Sequence, residues 1–160
     1  MSWNWRWIRW PSKAAVAPFE RDPKNNPYSV QYELQELMQD LVGIVRVESE
    51  MKQALEGIAR LKARAQAVGV ASNREWNPGW HTALDLQSLL TVAEAITRAA
   101  IERKESRGGH FRDDFPDKVP EFAKFNLVLK KGADGQMELR REPLAPVRAD
   151  LQEIITAEAK

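Results

Sequence analysis

The chain has 160 residues, 43% of them hydrophobic, and 24 Lys and Arg against 23 Asp and Glu give it a formal charge of +1. That length suits one ordinary core, burying roughly 70% of the surface an unfolded chain exposes, and the balanced charge provides no global field for nucleic acid or an anionic membrane. The absence of cysteine excludes disulfides, a thiolate nucleophile and cysteine-ligated zinc or iron–sulfur centres in this chain.

No apolar run approaches the roughly 18–20 residues that span a bilayer, and no secretory hydrophobic region follows the first residues. The chain therefore reads as soluble, with no direct membrane span. Residues 1–28 stand apart: Trp3, Trp5, Trp7 and Trp10 are interleaved with Arg6 and Arg9, and Pro11, Pro18, Pro23 and Pro27 follow. The prolines interrupt regular structure, so the segment is expected to be extended or disordered. A Trp/Arg-rich start also suits a membrane interface, with a loose terminus as the plainer alternative.

From Ser29 the pattern is helical. Val30, Leu34, Leu37, Met38, Leu41, Val42 and Val45 fall on one face, with Ser29 as the expected N-cap. A second helix is expected over about Val47 to Val68, where Met51, Leu55, Ile58, Leu61, Ala65 and Val68 form the stripe and Gly69 ends it. Lys52, Glu56, Arg60, Lys62 and Arg64 lie on its other face and read as solvated surface. Asn73, Asn77, Pro78 and Gly79 punctuate a connector in which Trp76 and Trp80 are expected to pack.

A third helix is expected over about His81 to Lys104. It is apolar on most sides, through Leu84, Leu86, Leu89, Leu90, Val92, Ile96 and Ile101, so it should be central or covered by another domain. Beyond Pro120, Phe125, Leu127 and Leu129, then Met137 and Leu139, alternate with polar residues around Gly132-Ala133-Asp134-Gly135, which reads as a hairpin. A short helix near Ala149 to Ala157 closes the chain. The expected fold is mainly α, an antiparallel three-helix bundle (29–104) followed by a turn, a small C-terminal β-hairpin and a short terminal helix (105–160).

The glycines never fall into the dinucleotide or phosphate-loop spacing, so no cofactor is expected to be held by this chain. His81 and His110 lack the partners of a metal site. Ser106, His110 and Asp113 or Asp114 are close in sequence, but no nucleophile elbow accompanies them. The expected catalytic, cofactor-binding and metal sets are therefore empty.

The segment after the third helix is more specific. It reads Glu105-Ser106-Arg107-Gly108-Gly109-His110-Phe111-Arg112-Asp113-Asp114-Phe115-Pro116. This resembles the E-S-R-G-x-H-x-R-x-D-[FY]-P signature of the succinate dehydrogenase and fumarate reductase flavoprotein subunits, of which L-aspartate oxidase carries a related version. Arg112 stands where L-aspartate oxidases commonly lack an arginine, which favours the dehydrogenase side. Pro18-Phe19-Glu20-Arg21, Leu41-Val42-Gly43-Ile44-Val45-Arg46 and Asn77-Pro78-Gly79-Trp80-His81 are similar to other stretches of the family's C-terminal helical domain. The resemblance covers about residues 18–155 and leaves 1–17 unplaced.

The resemblance implies a parent with FAD-dependent succinate/fumarate redox chemistry, of which this chain is the C-terminal domain and is inactive alone. Implied partners are the parent's flavin-binding and capping domains and an iron–sulfur subunit, with no nucleic acid. The implied location is cytoplasmic, or peripheral on the cytoplasmic face of the inner membrane through partner subunits. Glu105, Ser106, Arg107, Gly108, Gly109, His110, Arg112 and Asp114 are expected to be a domain-docking signature, the arginines offering planar donor forks to carboxylates or carbonyls. Two alternatives stay open: a stand-alone helical interaction module derived from that domain, and the C-terminal domain of an L-aspartate oxidase.

Overall fold

The computed structural model describes residues 12–158. The Trp/Arg-rich residues 1–11 lie outside the described residues. The chain divides into two units, residues 1–117 and 118–160, and each is described by itself.

The first unit contains α1 (Ser12–Val16), α2 (Pro27–Leu41), β1 (Val45–Arg46), α3 (Glu48–Ala65), α4 (Pro78–Glu102) and β2 (Phe111–Arg112). Its three long helices pack on one another. Glu33 pairs with Arg64, Lys62 with Glu94, and Glu48 with Lys104, so α3 runs antiparallel to both α2 and α4. The fold is mainly α, as the helical spacing indicates.

The core follows the predicted stripes. Val30 and Leu34 of α2, Ile58 and Leu61 of α3, and Leu86 and Leu90 of α4 are buried in one cluster, each full burial stabilising by about 1.5–3 kcal/mol. Along α4 the buried positions Leu86, Leu90, Ala93, Thr97 and Ala100 alternate in steps of four and three, the seam of a helix packed on helices. A second apolar stripe beside it, Leu89 (39% exposed), Val92 (56%) and Ile96 (45%), faces outward. Of the wide apolar girth expected for this helix, the bundle covers only part.

Helix starts differ from the hydrophobic pattern for a local reason. α2 begins at Pro27 and not Ser29, because the Asn26 side chain accepts the Tyr28 N–H at 2.8 Å, while the Ser29 hydroxyl donates to the Asn26 carbonyl. α4 likewise begins at Pro78, with Asn77 accepting the Trp80 N–H at 3.0 Å. Proline fits the first helical position, where no N–H is needed, and Asn supplies the missing acceptor. The prolines of residues 1–28 also interrupt less than expected. Residues 12–16 are helical, Ala17–Glu20 form a 3-10 turn with Pro18 in its first turn, and the Pro18 carbonyl accepts the Val70 N–H at 2.9 Å. Trp80 packs as expected, but Trp76 is 96% exposed.

The second unit holds β3 (Phe125–Lys131), β4 (Met137–Pro143) and α5 (Ala149–Glu158). The strands form the expected antiparallel hairpin, in register from Phe125↔Pro143 to Lys131↔Met137. The Arg141 guanidinium lies 4.9 Å from the Phe125 ring centre and 5.4 Å from that of Phe122, a cation–π sandwich.

Gly69 carries a backbone crossing that joins the end of α3 to the segment before α2. Its N–H donates to the Asn25 carbonyl at 3.0 Å, and a Cβ there would sit 2.4 Å from the Asp22 carbonyl oxygen. The Gly69→Ala variant is expected to lose about 1–3 kcal/mol of stability, the range of an overpacked site, read as a lower melting temperature by circular dichroism. Unchanged melting would show that the crossing opens without cost.

Candidate functional site

The Glu105–Pro116 signature begins where α4 ends. The Arg103 N–H donates to the Ala99 carbonyl at 3.1 Å as the last helical bond, and a tight loop then closes through Arg107 N–H to His110 O (2.8 Å) and His110 N–H to Arg107 O (3.1 Å). Gly108 stands in it at φ 61°, a left-handed value that glycine adopts without a Cβ clash. Neither Gly108 nor Gly109 has anything within 4 Å of a would-be Cβ. The returning chain forms β2, which pairs in parallel with β1 through Val45↔Phe111 and Arg46↔Arg112, and the Asp113 N–H extends the pairing to the Arg46 carbonyl at 2.9 Å.

Arg112 is the centre of the turn and is 0% exposed. Its Nε and Nη2 donate to the two Asp114 carboxylate oxygens at 2.7 Å each, and its Nη1 donates to the Ala100 and Ile101 carbonyls at 2.8 and 3.2 Å. Those carbonyls belong to the last turn of α4, where no intrahelical N–H remains to meet them. The guanidinium also lies 5.0 Å from the Phe115 ring centre and 3.7 Å from the Glu48 carboxylate. A buried guanidinium is stable only when its donors are matched, and the bidentate carboxylate and the helix end together do this.

Asp114 holds a second element in place, because its Oδ2 accepts the Glu48 N–H at 2.9 Å and so caps α3, whose preceding residue Val47 provides no side-chain cap. The Arg112 bonds hold the Asp114 carboxyl well below the usual range, at about 2, with the Glu48 N–H contributing and burial opposing. Its contribution to stability is full above the ordinary carboxylate pKa of about 4 and is lost as pH falls through about 2.

Glu105, also 0% exposed, accepts Arg107 Nε at 2.8 Å and Nη2 at 2.9 Å, and Arg103 Nη1 at 2.7 Å. Ser106 Oγ accepts the Arg112 N–H at 2.8 Å and donates to the Phe115 carbonyl at 2.9 Å. The His110 ring lies between Arg46 Nη1, 2.8 Å from its Nδ1, and the Arg103 carbonyl, 3.0 Å from its Nε2. Because Arg46 can only donate, Nδ1 is the acceptor and Nε2 carries the proton. Arg46 itself reaches back through Nε to the Gly43 carbonyl at 2.8 Å and so caps the end of α2.

The donor forks of Arg107 and Arg112 thus close on carboxylates of the same turn. Ser106, His110 and Asp114 do not meet as a triad, since each engages other groups. Sequence reasoning gave no role to Arg46, Glu48 or Arg103. The only available signal was Arg46 at the end of the Leu41–Arg46 stretch that resembles the family. Among the described residues, no group of three or more His, Cys, Asp or Glu side chains is arranged to hold a metal ion, and no helix is long and apolar enough to cross a membrane.

Burial pushes His110 below the usual histidine pKa; the bond to the Arg103 carbonyl opposes this, and the charges of Arg46, Arg112 and Arg103 lower it further. The neutral ring is therefore the folded form. Its contribution is full above the unfolded value of about 6.5 and is lost as pH falls through the lower folded value. Melting temperature should drop across that range in the unaltered chain and drop less in His110→Gln, which keeps one acceptor and one donor. Identical slopes in the two proteins would show that His110 is not the titrating group.

Comparison with known proteins agrees with this architecture. The family model for the fumarate reductase flavoprotein C-terminus matches residues 31–155. A fumarate reductase (CoM/CoB) of Methanothermobacter marburgensis is 34% identical over 111 residues, which cover 69% of this chain and 20% of that protein. The succinate dehydrogenase flavoprotein subunit of Coxiella burnetii is 34% identical over 110 residues, covering 66% of this chain and 19% of that one. The solved structure of Mycobacterium smegmatis Sdh1 in complex with UQ1 superposes with a TM-score of 0.82 at 38% identity, over 92% of this chain and 25% of its counterpart. The chain therefore spans about a fifth of the length of the curated relatives it matches. With its helices, its hairpin and its signature turn all inside the matched region, the chain belongs to the C-terminal domain family of succinate dehydrogenase and fumarate reductase flavoproteins.

Proposed function

We propose that this chain serves as the C-terminal helical domain of an FAD-dependent succinate/fumarate oxidoreductase and packs against that enzyme's flavin-binding domain. The observation that carries the reading is the outward stripe of Leu89, Val92 and Ile96 on α4. Three large apolar side chains at helical spacing beside a filled core seam are a second packing face, and the bundle offers it nothing.

The signature turn contributes by position. Its internal ion pairs fix the C-terminal end of α4, and the open space over Gly108 and Gly109 lets a neighbouring backbone approach closely. In this reading Glu105, Ser106, Arg107, His110, Arg112 and Asp114 shape the docking surface from within, and their hydrogen bonds do not cross it. A capping domain and an iron–sulfur subunit complete the assembly, which reaches the membrane through partner subunits.

FAD does not fit the residues present. Among the described residues, α3 is the helix that starts directly after a strand of the parallel pair, where a flavin pyrophosphate would sit. The Asp114 carboxylate already holds the first N–H there, and Glu48 and Glu50 occupy the first turn. Those negative charges repel phosphate, and the cofactor belongs to the flavin-binding part of the parent.

The test is co-purification of the chain with the flavin-binding and capping region of Mycobacterium smegmatis Sdh1 expressed without its own C-terminal domain. A one-to-one complex is expected in gel filtration, and Val92→Asp should weaken it at least roughly tenfold through the cost of burying an unpaired charge. A chain that stays monomeric beside that region would replace this reading with the stand-alone helical module.

A further inference from the structure

The end of the helical unit where α4 begins carries a second unexplained surface. Asn77 draws the connector between α3 and α4 into a closed loop, its side-chain amide donating to the Ala71 and Asn73 carbonyls at 2.9 Å each. The loop projects Arg74, Glu75 and Trp76. Trp76 is 96% exposed and is held at φ 53°, a left-handed backbone that a bulky residue rarely adopts and that often marks a functional position.

Next to the loop, the Trp80 indole N–H donates to the Ala15 carbonyl at 2.6 Å. The Trp80 ring packs on Phe19 with centroids 5.6 Å apart, and the Arg74 guanidinium lies 5.7 Å from the Phe19 ring centre. The helix Ser12–Val16, with Lys13 exposed on it, is thereby fixed at the same end as Trp76. The residues that lead directly into that helix are the ones rich in Trp and Arg.

We propose that this end of the molecule is a lipid-surface contact, in which Trp76 and the tryptophans of residues 3–10 enter the headgroup region of an anionic bilayer and Arg6, Arg9, Lys13 and Arg74 meet lipid phosphates. Indoles partition to the boundary between headgroups and acyl chains because one edge is polar and the body is apolar. Basic side chains beside an anionic leaflet add attraction that falls off within a Debye length. Residues 1–24 and 71–76 carry six basic side chains against three acidic ones, while the whole chain is only +1, so positive charge gathers where the tryptophans are. A protein pocket takes one or two desolvated aromatic anchors. Five tryptophans interleaved with arginines at one end match a fluid surface better. This proposal does not depend on the oxidoreductase reading.

The test is sedimentation of the full chain with vesicles of phosphatidylcholine alone and of equal parts phosphatidylcholine and phosphatidylglycerol, at low and high salt. The chain should pellet with the mixed vesicles at low salt, release at high salt and stay in solution with phosphatidylcholine alone. Trp76→Asn, which suits a left-handed backbone and removes the indole, should weaken binding about tenfold. Arg74→Gln should weaken it about fivefold, the effect of one basic residue near an anionic surface. Circular dichroism should be unchanged in both variants. A chain left in the supernatant by mixed vesicles, equal binding to phosphatidylcholine, or undiminished binding of Trp76→Asn would each overturn the proposal. Loss of association with the Sdh1 flavin-binding region in Trp76→Asn, without vesicle binding by the unaltered chain, would mark the loop as a protein contact and overturn it as well.

Discussion

A guanidinium removed entirely from water sets the terms for the end of the bundle. Arg112 would cost several kcal/mol if its donors were unmatched, so the chain around it has to deliver acceptors from separate places. Asp114 delivers a bidentate carboxylate and the last turn of α4 delivers two carbonyls. Once these are in place, Asp114 also reaches the first N–H of α3. One side chain therefore joins the end of one helix to the start of another, and the short parallel pairing of β1 with β2 follows from that geometry.

Two further ion-pair clusters repeat the logic around it. Glu105 closes on Arg103 and Arg107, and Arg46 links the end of α2 to His110, which in turn holds the Arg103 carbonyl. The signature is thus an internal polar knot placed where three helix ends converge. So dense a polar motif invites a role in ligand binding, yet here its chemistry is spent on unmet backbone groups at helix termini. What it presents outward is shape: a tight glycine loop and a rigid end to α4. That separation between inward bonds and outward form suits a domain that exists to be packed against, and the outward stripe of α4 gives the direction of packing.

The helices and the hairpin were legible because their signals are local. Leu86, Leu90 and Ala93 repeat at helical spacing, and Leu127 and Leu129 alternate around a glycine turn. Helix starts were legible only with attention to caps: Asn26 and Asn77 precede prolines and outrank the hydrophobic pattern that pointed to Ser29 and His81. The polar knot was legible as a motif but not as a set of bonds. Arg46 and His110 are 64 residues apart and Glu48 and Asp114 are 66 apart, and no periodicity connects positions so distant. The same limit hid the exposure of Trp76, since an aromatic in a connector looks like a packing residue until the backbone turns it outward.

The most direct measurement is hydrogen exchange of the Arg112 side-chain Nε–H by nitrogen-resolved NMR. An Nε–H buried against a carboxylate should exchange with water orders of magnitude more slowly than those of the surface arginines, and its protection should vanish in Asp114→Asn while the α3 and α4 amides far from the turn stay protected. Fast exchange at Arg112 in the unaltered chain would contradict the account, because the guanidinium would then be open to solvent and the helix ends would be joined by something else.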